Sequence, residues 1–78
     1  MKLPRDVTAD RLIRALQRLG YNVVRQKGSY VRLHADGPPP HSITVPFHKP
    51  LKTGTLHSIL VEVARARGSD IESIAGLL

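Results

Sequence analysis

Within eight residues this chain places three cations, a serine and a tyrosine that together suit contact with phosphates. They lie in Arg25-Gln26-Lys27-Gly28-Ser29-Tyr30 and in the run that follows, Val31-Arg32-Leu33-His34. Arginine and lysine bind phosphate groups, and a tyrosine ring can stack on a nucleic-acid base. Gly28-Ser29 predicts a tight turn, with glycine supplying a positive φ. We therefore predict a hairpin that holds Tyr30 at a strand edge beside Lys27 and Arg25, where an anionic polymer could lie.

The four histidines are the other side chains suited to proton transfer, because a free imidazole titrates near neutral pH. His48 is the best placed of them, since the linker after the third predicted strand could bring it near Tyr30. His34 shares the face of Tyr30 by alternation, but it lies four residues further along the strand. His41 and His57 receive no catalytic role.

Several classes of site are excluded by composition and spacing. The chain has no cysteine, which excludes disulfides, thiolate zinc sites and a cysteine nucleophile. The histidines lack metal-ligand spacing and no carboxylate completes a set, so neither a metal nor another cofactor is predicted. Ser29 has no Ser-His-Asp arrangement around it, which leaves it as a turn residue with at most an auxiliary role.

Size and charge place the function on a surface. Seventy-eight residues predict a single domain, 1–78, with a thin core and little room for an enclosed pocket. The net charge is +6, and eight of the twelve cations are arginine. This excess predicts attraction to nucleic acid or to an acidic protein, although a solvated basic surface is the simpler alternative. With no membrane span and no apolar signal segment, a soluble cytoplasmic protein is the default expectation.

Hydrophobic periodicity predicts the elements that position these side chains. They are a helix over Thr8–Leu19, strands over Tyr21–Lys27, Tyr30–His34 and His41–Pro46, a helix over Thr53–Arg67, and a short helix after Ser69-Asp70. Ala35–Pro40 is predicted as a loop and Phe47–Leu51 as an extended linker. The fold class is α+β: a three-stranded antiparallel sheet in an α-β-β-β-α order, with helices on one face and a basic-polar free face.

Several runs, taken together, resemble the HicA family of toxins from type II toxin–antitoxin pairs. The matching residues are Leu19-Gly20-Tyr21, Val24-Arg25-Gln26-Lys27-Gly28-Ser29, Ile43-Thr44-Val45-Pro46, His48, and Leu51-Lys52-Thr53-Gly54-Thr55-Leu56-His57-Ser58-Ile59-Leu60. The Arg-Gln-Lys-Gly-Ser run and the Gly-Thr-Leu-x-x-Ile-Leu run are specific only in combination. The resemblance covers roughly residues 10 to 66 and leaves the final helix outside it.

This resemblance implies a fold like that of double-stranded-RNA-binding domains, metal-independent and ribosome-independent cleavage of mRNA, and neutralisation by a HicB-like antitoxin. It also implies a catalytic group directly after Gly-Ser, where the family has histidine and this chain has Tyr30. The expected RNA contacts are Arg25, Lys27, Gly28, Arg32, Lys49 and Lys52, with His48 and Ser29 as auxiliary candidates. Arg11, Arg14 and Arg18 form a separate basic stripe on the first helix, suited to RNA or to acidic antitoxin residues.

Tyrosine at the catalytic position changes the expected chemistry. Cleavage needs one group to take the 2′-hydroxyl proton, one to protonate the leaving oxygen, and cations beside the phosphorane. A free tyrosine side chain, with a pKa of about 10, is a poor base at neutral pH, so we expect roughly a hundredfold loss or more. A variant of reduced or altered activity, a silenced form, and catalysis by another histidine all fit the sequence.

Two other functional classes stay open. The same fold could serve as a non-catalytic RNA-binding module, with Tyr30 stacked on a base and the basic face holding phosphates. A DNA-binding or protein-binding adaptor is the least favoured class, because the predicted sheet interrupts the helices and no helix-turn-helix can be identified.

Overall fold

The computed structural model describes residues 3–48 and 50–78. The elements are α1 (Ala9–Arg18), β1 (Asn22–Lys27), β2 (Tyr30–Ala35), β3 (His41–Pro46), α2 (Thr53–Arg67) and α3 (Ile71–Ala75). The predicted α+β class and α-β-β-β-α order, with a short C-terminal helix, are confirmed. The second strand is one residue longer than predicted, because Ala35 pairs with His41 and is buried.

Each helix begins or ends at a residue whose chemistry favours a terminus. The Arg11 backbone N–H donates to the Thr8 hydroxyl at 3.2 Å, which satisfies one of the unpaired donors at the start of α1. Gly68 ends α2 in the left-handed conformation, at φ 62°. Asp70 begins α3 by accepting from the Ser73 backbone N–H at 2.7 Å, and its hydrogen bonds to Ser73 lower the pKa of the Asp70 carboxyl.

The sheet is antiparallel throughout, in the order β1-β2-β3. The central strand is β2, because β3 returns along its other side. Tyr30, the first residue of β2, is therefore flanked by Lys27 on β1 and by Pro46 on β3. The predicted strand-edge position of Tyr30 is wrong in this respect, since both of its neighbours are strands.

The hydrophobic core lies between one face of the sheet and the two longer helices. Alternation turns Val31, Leu33, Ile43 and Val45 inward. They pack with the buried helix positions Leu12, Leu16, Leu56, Ile59, Leu60, Val63 and Ala64. The other face of the sheet is left uncovered. Within the described residues, no helix has the length and apolar character to cross a bilayer.

Candidate functional site

The turn between β1 and β2 is a two-residue hairpin loop. Lys27 pairs with Tyr30 across it, so Gly28 and Ser29 are its central residues. Gly28 has φ 57°, and Ser29 is not among the residues of positive φ. That pattern belongs to a type II′ turn, which matches the right-handed twist of the flanking strands and favours glycine at its first position. The predicted turn at Gly28-Ser29 and the predicted positive φ of Gly28 are confirmed.

Four candidate site residues form a two-by-two array on the free face of the sheet. Lys27 lies directly opposite Tyr30, and Arg25 lies directly opposite Arg32. Residues paired in this way point to the same face, with their Cβ atoms about 5 Å apart. Tyr30 and Arg32 are two positions apart on β2, which separates them by roughly 7 Å. Tyr30 is well exposed, with 57% of the residue's reference area accessible.

The third strand supports this array with hydroxyl groups. Arg32 pairs with Thr44 and donates from Nη1 to the Thr44 Oγ1 at 2.9 Å. Two pairs further along, the His34 Nδ1 is hydrogen-bonded to the Ser42 Oγ at 2.7 Å. The Nε2 of His34 also lies 3.4 Å from the Asp36 carboxylate. His34 is therefore engaged at the far end of the face, as its position four residues from Tyr30 predicted.

The end of the third strand approaches the turn. The Phe47 backbone N–H donates to the Ser29 carbonyl at 2.5 Å, which extends the β2–β3 ladder by one further pair. His48 follows directly, with its own N–H donating to the Pro46 carbonyl at 3.0 Å, and its side chain is exposed. The backbone of His48 thus follows directly on the residue that is hydrogen-bonded to the Gly-Ser turn. Lys49 lies outside the described residues.

Lys52 is the one described candidate that the structure does not bring to the array. It precedes α2 as its exposed N-cap residue and lines an open groove with Arg5 and His57. The adjacent Leu51 N–H donates to the Val7 carbonyl at 2.8 Å, which fixes this segment beside the start of the chain. A phosphate contact by Lys52 would therefore be separate from the contacts at the turn.

A hydrogen-bond network that runs from a buried tyrosine to an exposed carboxylate on α2 was not predicted from the sequence. The Tyr21 hydroxyl is 2.7 Å from the Nδ1 of His41, and the Nε2 of His41 is 3.0 Å from a Glu62 carboxylate oxygen. The Arg67 guanidinium lies 5.6 Å from the centre of the Tyr21 ring. Tyr21 is fully buried, so its phenol cannot reach a substrate. Burial is the largest influence on the Tyr21 pKa and raises it; the nearby Arg67 opposes this effect.

His41 therefore links the Tyr21 hydroxyl to the Glu62 carboxylate, and the sequence provides only a weak indication of this contact. A buried tyrosine needs a hydrogen-bond partner, but nothing in the sequence identifies a histidine 20 residues away as that partner. In residues 3–48 and 50–78, no three His, Asp or Glu side chains are grouped as metal ligands.

Comparison with protein-family models identifies the family of this chain. Residues 9–69 match the family described as the HicA toxin of bacterial toxin–antitoxin systems. The chain belongs to the HicA toxin family. The matched region contains the Gly-Ser turn, the whole sheet and α2, and it ends just before α3. No curated protein and no solved structure matches this HicA toxin. Family membership assigns it to a toxin–antitoxin system and implies a partner antitoxin.

Proposed function

We propose that this HicA toxin is an endoribonuclease that binds mRNA across the free face of its sheet and cleaves it without a metal. The observation that carries this proposal is the two-by-two array of Arg25, Lys27, Tyr30 and Arg32. Three cations and one phenol lie on an uncovered surface, within the span of a few nucleotides. A flat, open face suits a polymer better than a small molecule, which needs a concave pocket.

The proposed reaction is an internal transfer within the RNA. The 2′-oxygen bonds to the adjacent phosphorus and loses its proton, while the bond from phosphorus to the 5′-oxygen breaks. The products are a 2′,3′-cyclic phosphate and a strand whose 5′-oxygen has gained a proton. The cations of Arg25, Lys27 and Arg32 would stabilise the negative charge that builds up on the phosphorane oxygens.

Tyr30 occupies the position where the resemblance places the catalytic histidine. A phenol can donate a hydrogen bond or a proton to the leaving oxygen, but it is poorly suited to removing the 2′-hydroxyl proton. His48, whose backbone is held next to the same turn, is the candidate for that second role, and Ser29 is an auxiliary hydrogen-bond donor. We therefore propose an activity lower than that of an enzyme with histidine at position 30.

One observation favours a second function on the same surface. The Tyr30 ring is exposed, and among the described residues nothing forms a hydrogen bond with its hydroxyl. A free aromatic ring beside cations is the arrangement with which many proteins hold single-stranded nucleic acid by stacking. The alternative proposal is therefore an RNA-binding module that does not cleave.

The deciding experiment compares RNA cleavage by the wild type with cleavage by Tyr30→His, Tyr30→Ala and His48→Ala, with and without a chelator. We expect Tyr30→His to raise the rate by about a hundredfold or more, with no effect of the chelator. If the wild type, Tyr30→His and Tyr30→Ala cleave RNA equally well and His48→Ala does not cleave it, the catalytic role belongs to His48. If no form cleaves but RNA binds tightly and in a salt-dependent way, the binding module is correct.

A further inference from the structure

The stripe of arginines on α1 borders a second surface that the proposed RNA face does not use. Arg11, Arg14 and Arg18 line an open groove of about 580 Å³. The groove is completed by Ala15, Gln17, Leu77 and Leu78. We call this surface the arginine groove. It combines three cations with apolar side chains from the segment that follows α3.

Two of the three arginines of the arginine groove have no partner within the described part of the chain. Arg11 donates from Nη2 to the Leu78 carbonyl at 3.1 Å, and this bond joins α1 to the C-terminal segment. Across residues 3–48 and 50–78, neither Arg14 nor Arg18 has a hydrogen bond or an ion pair. Like charges four positions apart on a helix repel. Arg14 and Arg18 are therefore available to pair with carboxylates of a ligand.

The arginine groove lies away from the free face of the sheet. On α1, Leu12 and Leu16 are buried against the core, whereas Arg14 and Arg18 are exposed on the other side of the helix. The helix layer itself separates these arginines from the sheet. An RNA strand that lies flat on Tyr30 and Arg32 would not reach Arg14 or Arg18 at the same time. A ligand of the groove would leave the RNA face open.

We infer that the arginine groove docks an acidic segment of the partner antitoxin. Carboxylates of that segment would pair with Arg14 and Arg18, and an apolar side chain would pack on Leu77, which is only partly buried. A protein fits this groove better than RNA does. An RNA backbone offers phosphates to the arginines, but it has no apolar group that would pack on Leu77 and Leu78. The inference rests on the toxin–antitoxin assignment and is independent of any ribonuclease activity.

The test uses the double variant Arg14→Glu/Arg18→Glu. It reverses the charge at the two unpaired arginines and keeps the contact between Arg11 and Leu78. The matched control is Arg5→Glu/Arg65→Glu, which makes the same change of charge at two exposed arginines elsewhere. Both are titrated with the purified antitoxin of the pair and with a single-stranded RNA. Thermal unfolding of each variant confirms that it is folded.

We expect the Arg14/Arg18 variant to bind the antitoxin at least about tenfold more weakly than the control variant, with equal RNA binding. A tenfold change corresponds to about 1.4 kcal/mol, which two charge pairs can supply. Equal antitoxin affinity in the two variants overturns the inference. A loss confined to RNA binding also overturns it and assigns the groove to RNA. Failure of the ribonuclease proposal would appear in the Tyr30 variants and not in this comparison.

Discussion

Arg25 and Arg32 lie directly opposite each other on neighbouring strands, on the same exposed face of the sheet. Two like charges in this arrangement repel and lower the stability of the folded chain. Arg32 is oriented by its hydrogen bond to Thr44, and within the described residues no carboxylate forms an ion pair with either arginine. A cost in stability at an exposed surface is typical of residues that serve binding.

Removal of one of these charges is therefore expected to stabilise the protein while it weakens RNA binding. Arg25→Gln should raise the free energy of unfolding by about 0.2–1 kcal/mol at low salt, and the gain should shrink in high salt because the repulsion is screened. Denaturant unfolding and RNA titration measure the two effects. The control is Arg65→Gln, at an exposed arginine of α2. It should neither raise the free energy of unfolding nor weaken RNA binding. A loss of stability in Arg25→Gln would show that the repulsion is unimportant.

The charge of Lys27 is expected to act on RNA through phosphate contact alone. Lys27→Gln should weaken the binding of single-stranded RNA of any sequence to a similar degree. It should also make the slope of log K against log salt shallower by about 0.7, the value for one phosphate contact. Fluorescence anisotropy over a series of salt concentrations gives the slope. An unchanged slope would remove Lys27 from the interface.

Two glycine substitutions are expected to have opposite effects. Gly28→Ala should lower the free energy of unfolding by roughly 1–2 kcal/mol, because φ 57° is strained for any residue with a Cβ atom. Gly54→Ala should raise it by up to about 1 kcal/mol, since Gly54 lies in α2 with open space around it and its φ is not positive. Thermal or urea unfolding compares the pair. Equal effects would mean that the turn does not depend on its glycine conformation.

The buried phenol of Tyr21 is expected to make the free energy of unfolding depend on pH in the alkaline range. Tyr21→Phe removes the partner of the His41 Nδ1 and should cost about 1 kcal/mol near neutral pH. Because burial raises the pKa of Tyr21 above its ordinary value of 10.0, the folded state holds the phenol proton more firmly than the unfolded state. The contribution of this phenol is complete below pH 10 and is lost as the pH rises beyond it.

The free energy of unfolding of the wild type should therefore fall towards that of Tyr21→Phe as the pH is raised above about 10. Urea unfolding at several alkaline pH values measures both proteins under matched conditions. Since the lysines and arginines are the same in both, their titration cancels in the difference. A constant difference at all pH values would contradict the assigned role of the buried phenol.

The amino-acid pattern determined most of the fold by itself. The spacing of Leu56, Ile59, Leu60 and Val63, with Gly68 behind them, predicted α2 with the bounds that the structure gives. Strict alternation in β2 placed Tyr30 and Arg32 on the exposed face. These predictions depend only on the periods of helix and strand and on glycine conformation, which are local properties of the chain. The same local signals located the candidate site at Gly28-Ser29.

Contacts between distant segments were decided only by the tertiary structure. The register of β2 against β3 sets Tyr30 opposite Pro46, and the loop between these strands left that register open. A bulge between Val23 and Arg25 shifts the pairing of Val23 and Asn22 by one residue, so that Val23 lies opposite Leu33 and Asn22 opposite His34.

The hydrogen bond from Tyr21 to His41 and the position of Lys52 likewise depend on long-range packing. Periodicity assigns each side chain to a face, but it does not specify which residues of other strands and helices meet it there. The sequence therefore identified the turn and the face of the candidate site, and tertiary packing decided which side chains surround it.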